Sequence, residues 1–521
     1  MLPSHHAPSV GHEGRDAQAE ALPRQQSFEP PLSVPAHQRE AFRRLFDPEH
    51  MLAVFRRELP PLADGPIHVA TCSVRPGRSD KPFKKGQMQL VYRVGIQVGA
   101  EAPREYRLLG LSPAGIGFPW PDRAGTEERL RDHPAVRPFR QLSLQIEDLQ
   151  LALFLFPLDP ALPGLATITG SGGARWLASF LPECRAGAKV ERIDCELSHY
   201  KPFNRAVLRV RAALSRLDAP ASERTVYVKV FYDDKGAAQH RDLASLWSVA
   251  QQSASLRVPE PLGYDPEQRL LVMSEATGER SLNDWVRLLR KGQPLPAGTD
   301  LERVERCVRI AARALHDLQR SGLRPDERYT FSDELTHLRR DWKLLRPEPG
   351  THAEAVMLFE RLQRRLEALA PVDEPLVPAH GEYRHQQLVG DERSLTLIDW
   401  DSYCLANPVM DAARFLARFR RDGARCPDGA PEFGRLVEAF REEFLGPRPE
   451  VAAHLALYEG LHVTKLLLRC FGHASRGEDM TRLVQVLATV AEELLDRAEA
   501  DGCRGPGTGA LPAGRGKDGP S

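Results

Sequence analysis

A carboxylate can orient or deprotonate a hydroxyl, and carboxylate and amide oxygens can together hold a divalent cation against phosphate oxygens. The stretch Ala379-His380-Gly381-Glu382-Tyr383-Arg384-His385-Gln386-Gln387-Leu388 supplies such groups in order: an apolar entry, His-Gly-carboxylate, and an amide side chain after four further residues. A second apolar run then ends in Asp399-Trp400-Asp401. Asp399 closes the run Leu395 to Ile398, where a buried carboxylate demands a cation or a full set of donors; the plain alternative is a turn-initiating aspartate. Upstream, Lys229 lies mid-strand in Tyr227-Val228-Lys229-Val230-Phe231. A lysine between apolar neighbours is costly unless its ammonium meets an anion. The competing reading is a solvent-facing lysine on an edge strand.

Order and spacing resemble the catalytic and metal-binding loops of the aminoglycoside phosphotransferase and choline kinase-like family, whose usual pattern is His-Gly-Asp, four residues, Asn, an apolar strand and Asp-x-Asp or Asp-x-Glu. Ser198-His199-Tyr200-Lys201-Pro202-Phe203-Asn204-Arg205 resembles the Tyr-Lys/Arg-Pro-Gly-x-Arg turn that replaces the glycine-rich loop in several branches. Ala314-Leu315-His316 resembles the end of the helix upstream of the catalytic loop. The resemblance implies an α+β, bilobal protein kinase-like fold, a small antiparallel β lobe followed by a mostly helical lobe. ATP would lie between these near a hinge at Ser274 to Gly278. It assigns Lys229, Lys201 and Arg205 to the nucleotide phosphates, and Gln387, Asp399 and Asp401 to Mg²⁺. Glu382 falls to the acceptor hydroxyl. His380, grouped with it as catalytic, orients the loop that Asp411 steadies.

Three positions depart from the family pattern: Glu382 replaces Asp, Gln387 replaces Asn, and Phe203 stands where glycine is common. Glu and Gln keep the functional group and add a methylene, and misplacement on that scale can cost about a hundredfold. The expectation is therefore an ATP- and Mg²⁺-dependent phosphotransferase acting on a hydroxyl of a small molecule. The rival is a catalytically impaired kinase-like binding or scaffold protein, with Glu382 merely salt-bridged to Arg384. No Asp-Phe-Gly or Ala-Pro-Glu follows Asp399, which argues against a protein kinase. Gly170-Ser171-Gly172-Gly173 lacks the Gly-Lys-Ser/Thr of a phosphate loop and reads as a lead into a helix. His385 reads equally as a substrate contact or a solvent-facing side chain.

The 521 residues are 42% hydrophobic and 27% charged, and 71 basic residues balance 71 acidic ones. No global field then favours nucleic acid or an anionic membrane. Eight cysteines without paired spacing exclude a zinc pattern and suit a reducing cytosol. The polar start, Met1 to Glu20, argues against a secretory signal, and the most apolar run, Leu151 to Phe156, is too short to span a bilayer. A cytoplasmic protein without membrane or nucleic-acid partners is expected; its acceptor and oligomeric state are left open.

Composition marks a disordered arm (1–40) and a disordered tail (501–521); between them lie an N-terminal α/β region (41–185) and, as the resemblance implies, a kinase-like N-lobe (186–280) and a helical C-lobe (281–500). Leu208, Val210, Ala212 and Leu214 alternate with polar or small residues, as do Val226, Val228 and Val230, which is strand periodicity. The turn between them falls at Asp218 to Ser222, and a helix is expected over 239–252. Val304, Val308, Ala311, Leu315 and Leu318 mark one buried helix face. At an offset of 120 residues, Lys81-Pro82-Phe83 recurs as Lys201-Pro202-Phe203, and Leu90 to Val98 alternate in phase with Val210 to Leu214. This echo reads as a duplicated N-lobe sheet or as two meanders with similar turns; Leu109 sits opposite Lys229, so a first copy would lack the nucleotide lysine. The arginine-rich stretch Phe415 to Arg425 reads as a solvated helix face.

Overall fold

The computed structural model describes residues 39–59, 67–76, 83–84, 87–98, 102–112, 123–131, 133, 136, 139, 141–216, 219–276, 282–345, 353–371, 375–426, 431–474 and 480–503. Most of the expected arm and tail, the Lys81-Pro82 pair, Asp218 of the expected turn, and Thr277-Gly278 at the expected hinge lie outside these residues. The chain is mixed α and β and forms two compact units: residues 1–176 with 197–206, and residues 177–196 with 207–521. The tip of one hairpin, residues 197–206, thus groups with the first unit while its strands continue into the second.

In the first unit the helix Pro48–Glu58 starts where Asp47 accepts hydrogen bonds from the N–H groups of Glu49 and His50, with proline at the first helical position. This helix and Arg39–Phe46 bury Phe42, Leu45 and Phe55 with Leu90, Tyr92 and Val94. Tyr92 donates its hydroxyl to the carbonyl of Leu45 at 3.0 Å. The sheet runs Ile67–Pro76, Gln87–Val98, Arg104–Ser112, Leu151–Leu155, Ser143–Ile146, with a two-residue strand, Phe83–Lys84, beside Gln87–Val98.

The second sheet runs Lys189–Lys201, Arg205–Arg216, Ala219–Phe231, Leu270–Ser274, Pro261–Asp265. With the two-residue strand Phe83–Lys84 left out of the count, both sheets have the order 1-2-3-5-4 along the chain, and each places a helix, Arg123–Leu130 or Lys235–Ala250, between its third and fourth strands. The agreement is one of topology more than of exact register. Leu109 pairs with Phe154, so a strict 120-residue offset would pair Lys229 with Ser274; Lys229 pairs instead with Leu271. Ala206, Leu208, Val210, Ala212 and Leu214 are all buried, as strand alternation requires.

The rest of the second unit is mainly helical around one apolar core. Leu301–Arg320 buries Val304, Val308, Ala311, Leu315 and Leu318, the face its periodicity marks. Met410–Ala424, Pro431–Leu445, Ala452–Ala474 and Thr481–Ala500 complete the bundle. A three-stranded sheet, with Arg328–Tyr329 parallel to Cys404–Ala406, and a two-stranded hairpin interrupt it. Val377–Ala379 pairs antiparallel with Cys404–Ala406, and Leu388–Gly390 with Leu395–Leu397. These hold the two loops that carry the chemistry-bearing residues. Among the described residues no helix is long and apolar enough to cross a membrane.

Candidate active site

Strand Val377–Ala379 delivers His380, Gly381 and Glu382. Gly381 has φ +81°, and a β-carbon there would meet the carbonyl oxygen of Ser402 at 2.0 Å, so both conformation and close approach demand glycine. Asp411, in the first turn of Met410–Ala424, accepts from the N–H of His380 at 2.6 Å and of Gly381 at 3.1 Å. Burial pushes the Asp411 carboxyl upward, against the pull of His380, Arg414 and these two donors. His380 is fully buried, and burial pushes its imidazole below the usual value. Its Nδ1 faces the N–H of Glu382 at 3.3 Å and its Nε2 the carbonyl of Ile398 at 3.0 Å. A neutral ring with the proton on Nε2 satisfies both. His380 therefore ties the carboxylate loop to the strand that precedes Asp399, a positioning task.

The second loop begins at a 3-10 turn, His385–Gln387, and returns through the hairpin. The N–H of Ile398 donates to the carbonyl of Gln387 at 2.9 Å, fixing the span between amide and carboxylate. Asp399 has φ +67°, an unfavourable conformation for a non-glycine residue and one that concentrates at functional positions. Its Oδ2 accepts from Gln387 Nε2 at 3.4 Å. Gln387 Oε1 is buried and without a hydrogen-bond partner. Lys229 is 4% exposed and sits in the central strand of its sheet, which corrects the edge-strand alternative. Its ammonium pairs with Asp401 and lies 3.9 Å from Asp399 Oδ1. Gln239, from Lys235–Ala250, donates to Asp401 at 2.6 Å. Lys229, Gln387, Asp399 and Asp401 thus meet in one place. Nothing local in the sequence marked Gln239.

Glu382 is half-buried, with Arg384 at 3.5 Å and Arg414 at 3.9 Å. Burial opposes its charge, but Arg414, Arg384, Arg418 and Arg469 together hold its carboxyl below the ordinary value. Two side-chain expectations are corrected. His385 faces neither solvent nor an open site: it is 1% exposed, 3.5 Å from Asp422, and burial pushes it down to about 3. The Phe415 to Arg425 stretch is not a solvated face, because Phe415, Phe419 and Asp422 are buried in the bundle and Arg418 half-buried. Consecutive arginines mask the 3.6-residue rhythm that packs this helix.

Lys201 and Arg205 belong to the first unit. Between them Phe203 adopts φ +56°, the left-handed conformation that makes glycine common at this position. Its ring is buried with Val91, Leu109, Leu111 and Ala161. Its N–H and the Tyr200 hydroxyl both donate to the buried carboxylate of Asp159, at 2.9 and 2.8 Å. Asp159, which no sequence pattern marked, is pushed up to about 6 by burial, despite these donors.

Residues 204–452 match the family described as phosphotransferase enzyme family. No curated protein sequence matches the chain. Three of the solved structures it resembles are a choline/ethanolamine kinase family protein from Mesorhizobium loti, a macrolide 2′-phosphotransferase from Brachybacterium faecium and a choline kinase from Cryptosporidium parvum. The first is 15% identical, with 63% of this chain and 97% of the other covered at a TM-score of 0.39. The second is 16% identical, with 59% and 95% covered at 0.36. The third is 11% identical, with 63% and 94% covered at 0.40. The match to the phosphotransferase enzyme family is thus carried by residues 204–452, the segment that holds Lys229, Glu382, Gln387, Asp399 and Asp401.

Proposed function

We propose that the protein transfers the γ-phosphoryl group of ATP, with Mg²⁺, to a hydroxyl of a small molecule. The observation that carries this reading is the meeting of a buried ammonium, Lys229, with Asp399, Asp401 and the orphaned amide oxygen of Gln387. Among the described residues no three His, Cys, Asp or Glu side chains cluster as a metal cage. Mg²⁺ suits such a site, since it is commonly bound through one or two carboxylates plus phosphate oxygens and water. Gln387 Oε1 and Asp399 would hold it, assisted by Asp401, and the ion would neutralise phosphate charge.

Lys229 supplies a point charge for the nucleotide phosphates, exchanging its carboxylate partners for phosphate oxygens. Lys201 and Arg205 are assigned to the same phosphates by family resemblance. Glu382, kept ionised by its arginines, accepts a hydrogen bond from the acceptor hydroxyl. The acceptor oxygen bonds to the γ-phosphorus as the bond to the β,γ-bridging oxygen breaks. The hydroxyl proton passes to Glu382 and ADP leaves. A carboxylate of low basicity is sufficient, because a loose transition state needs positioning more than proton abstraction. Eight cysteines without paired spacing fit a cytoplasmic setting.

The rival, a nucleotide-binding protein without turnover, draws on the Arg384 and Arg414 contacts of Glu382. A thermal-shift titration with ATP and Mg²⁺, run beside an ATP-consumption assay on a panel of alcohols, separates the two. We expect a higher melting temperature together with acceptor-dependent ATP consumption that Glu382→Gln lowers by about 10²-fold or more. Stabilisation without turnover on any acceptor supports the rival. No stabilisation by the nucleotide overturns both.

A further inference from the structure

Around Glu382 the second unit gathers more positive charge than its carboxylates balance. Arg414, Arg418 and Arg421 lie on one face of Met410–Ala424, and His462, Lys465 and Arg469 on one face of Ala452–Ala474. Part of this charge is matched. Glu334, fully buried on Phe331–Leu345, accepts from Arg414 Nη2 at 2.6 Å and pairs with Lys465. Arg421 donates to Asp422 at 2.7 Å. His462 is buried and kept neutral by burial.

The remainder is answered only loosely, by Glu382. Arg414 is 8% exposed, yet its Nη1 has no hydrogen-bond partner and stands 3.9 Å from Glu382. The buried Nε of Arg384 makes no hydrogen bond either, and its ion pair with Glu382 is a loose 3.5 Å. Arg418, half-buried, and Arg469, exposed at the rim, make no hydrogen bond or ion pair with any described residue. Burial first, and then the neighbouring Arg421, Arg469 and Arg384, push the Arg418 guanidinium down to about 8 against the pull of Glu382. Such a cluster beside a single carboxylate repels a cationic acceptor. Planar guanidinium forks instead suit carboxylate and phosphate groups.

We infer that the acceptor is an anionic alcohol, whose carboxylate or phosphate is held by Arg384, Arg418 and Arg469 while its hydroxyl faces Glu382. The assignment rests on Glu382 being the residue that meets the acceptor. It names a substrate class opposite in charge to choline or an aminoglycoside.

The test measures binding and turnover separately on the full chain. Calorimetric titrations with D-glycerate, glycerol 3-phosphate, inorganic phosphate, choline and kanamycin, in saturating Mg²⁺ and ADP, are paired with ATP-consumption assays. Glycerate against glycerol 3-phosphate distinguishes carboxylate from phosphate. The expected result is binding and turnover of an anionic alcohol but not of choline or kanamycin. Arg418→Gln and Arg469→Gln each raise KM for that acceptor at least tenfold and leave KM for ATP within twofold, whereas Arg418→Lys and Arg469→Lys each keep part of the acceptor affinity that the matching Gln variant loses. Preference for choline or kanamycin, or an anion affinity unmoved by these variants, overturns the inference. ATP binding without binding of any of the three anions sinks the inference and leaves the kinase reading standing. Arginine-dependent anion binding without ATP binding does the reverse.

Discussion

At Lys229 a full positive charge is buried in the centre of a sheet, and the residues around it account for its presence. Asp401 and Asp399 approach its ammonium and Phe231 lies 5.2 Å below it, so the charge is matched in place. A purely structural pair would be expendable for function. A nucleotide lysine would not. Lys229→Met is expected to weaken ATP binding by tenfold or more in a calorimetric titration. Lys229→Arg should fail to restore it, because a planar fork cannot replace a compact point charge in this packing. Unchanged ATP affinity in both variants would remove Lys229 from the site.

The chemistry-bearing loops are fixed by very short elements at the scale of strands and turns. Val377–Ala379 and Cys404–Ala406 bring Gly381 against Ser402, while Asp411 gathers the N–H groups of His380 and Gly381. The backbone of this loop is over-determined, which is how strained conformations such as that of Asp399 persist. Gly381→Ala meets both a positive φ and a carbonyl oxygen. It should cost on the order of 2–4 kcal/mol, as overpacking adds to backbone strain. Urea denaturation would record a lower midpoint, and ATP consumption would fall further than stability alone explains. A fully active, equally stable Gly381→Ala would show that the loop is free to move.

Over the whole molecule, the two units repeat one sheet topology, but only the second carries the lysine. Leu109 and its neighbours instead build the pocket that holds Phe203 within the first unit. A global consequence also follows from His385. Its imidazole sits at about 3 in the folded chain against an ordinary 6.5, so the unfolded chain binds more protons throughout that window. Stability is therefore lost as pH falls from 6.5 towards 3, by on the order of 2 kcal/mol from this group at pH 5. His385→Gln should flatten the dependence of unfolding free energy on pH across that range, whatever its effect at pH 7. Parallel curves for the two proteins would refute the assignment. Asp159, raised to about 6, acts in the opposite sense, which is why the comparison is between variants.

Much of this molecule is legible in its sequence because local rules dominate there. Strand alternation at 208–214 and the buried face of Leu301–Arg320 follow from side-chain periods of two and 3.6, whereas the strand order shared by the two sheets had to be read from the fold. The spacing of His380, Gly381, Glu382, Gln387 and Asp399 is likewise preserved along the chain. What the sequence could not supply are contacts between residues far apart in it: Gln239 with Asp401, Asp159 with Phe203, Glu334 with Arg414 and Lys465. Arginines that look solvated in a one-dimensional reading become a charged cluster only when two helices pack, since burial and Coulomb interaction depend on distance in space. The order of the reactive groups is written in the chain; the electrostatic character of the place where they meet is a property of the fold.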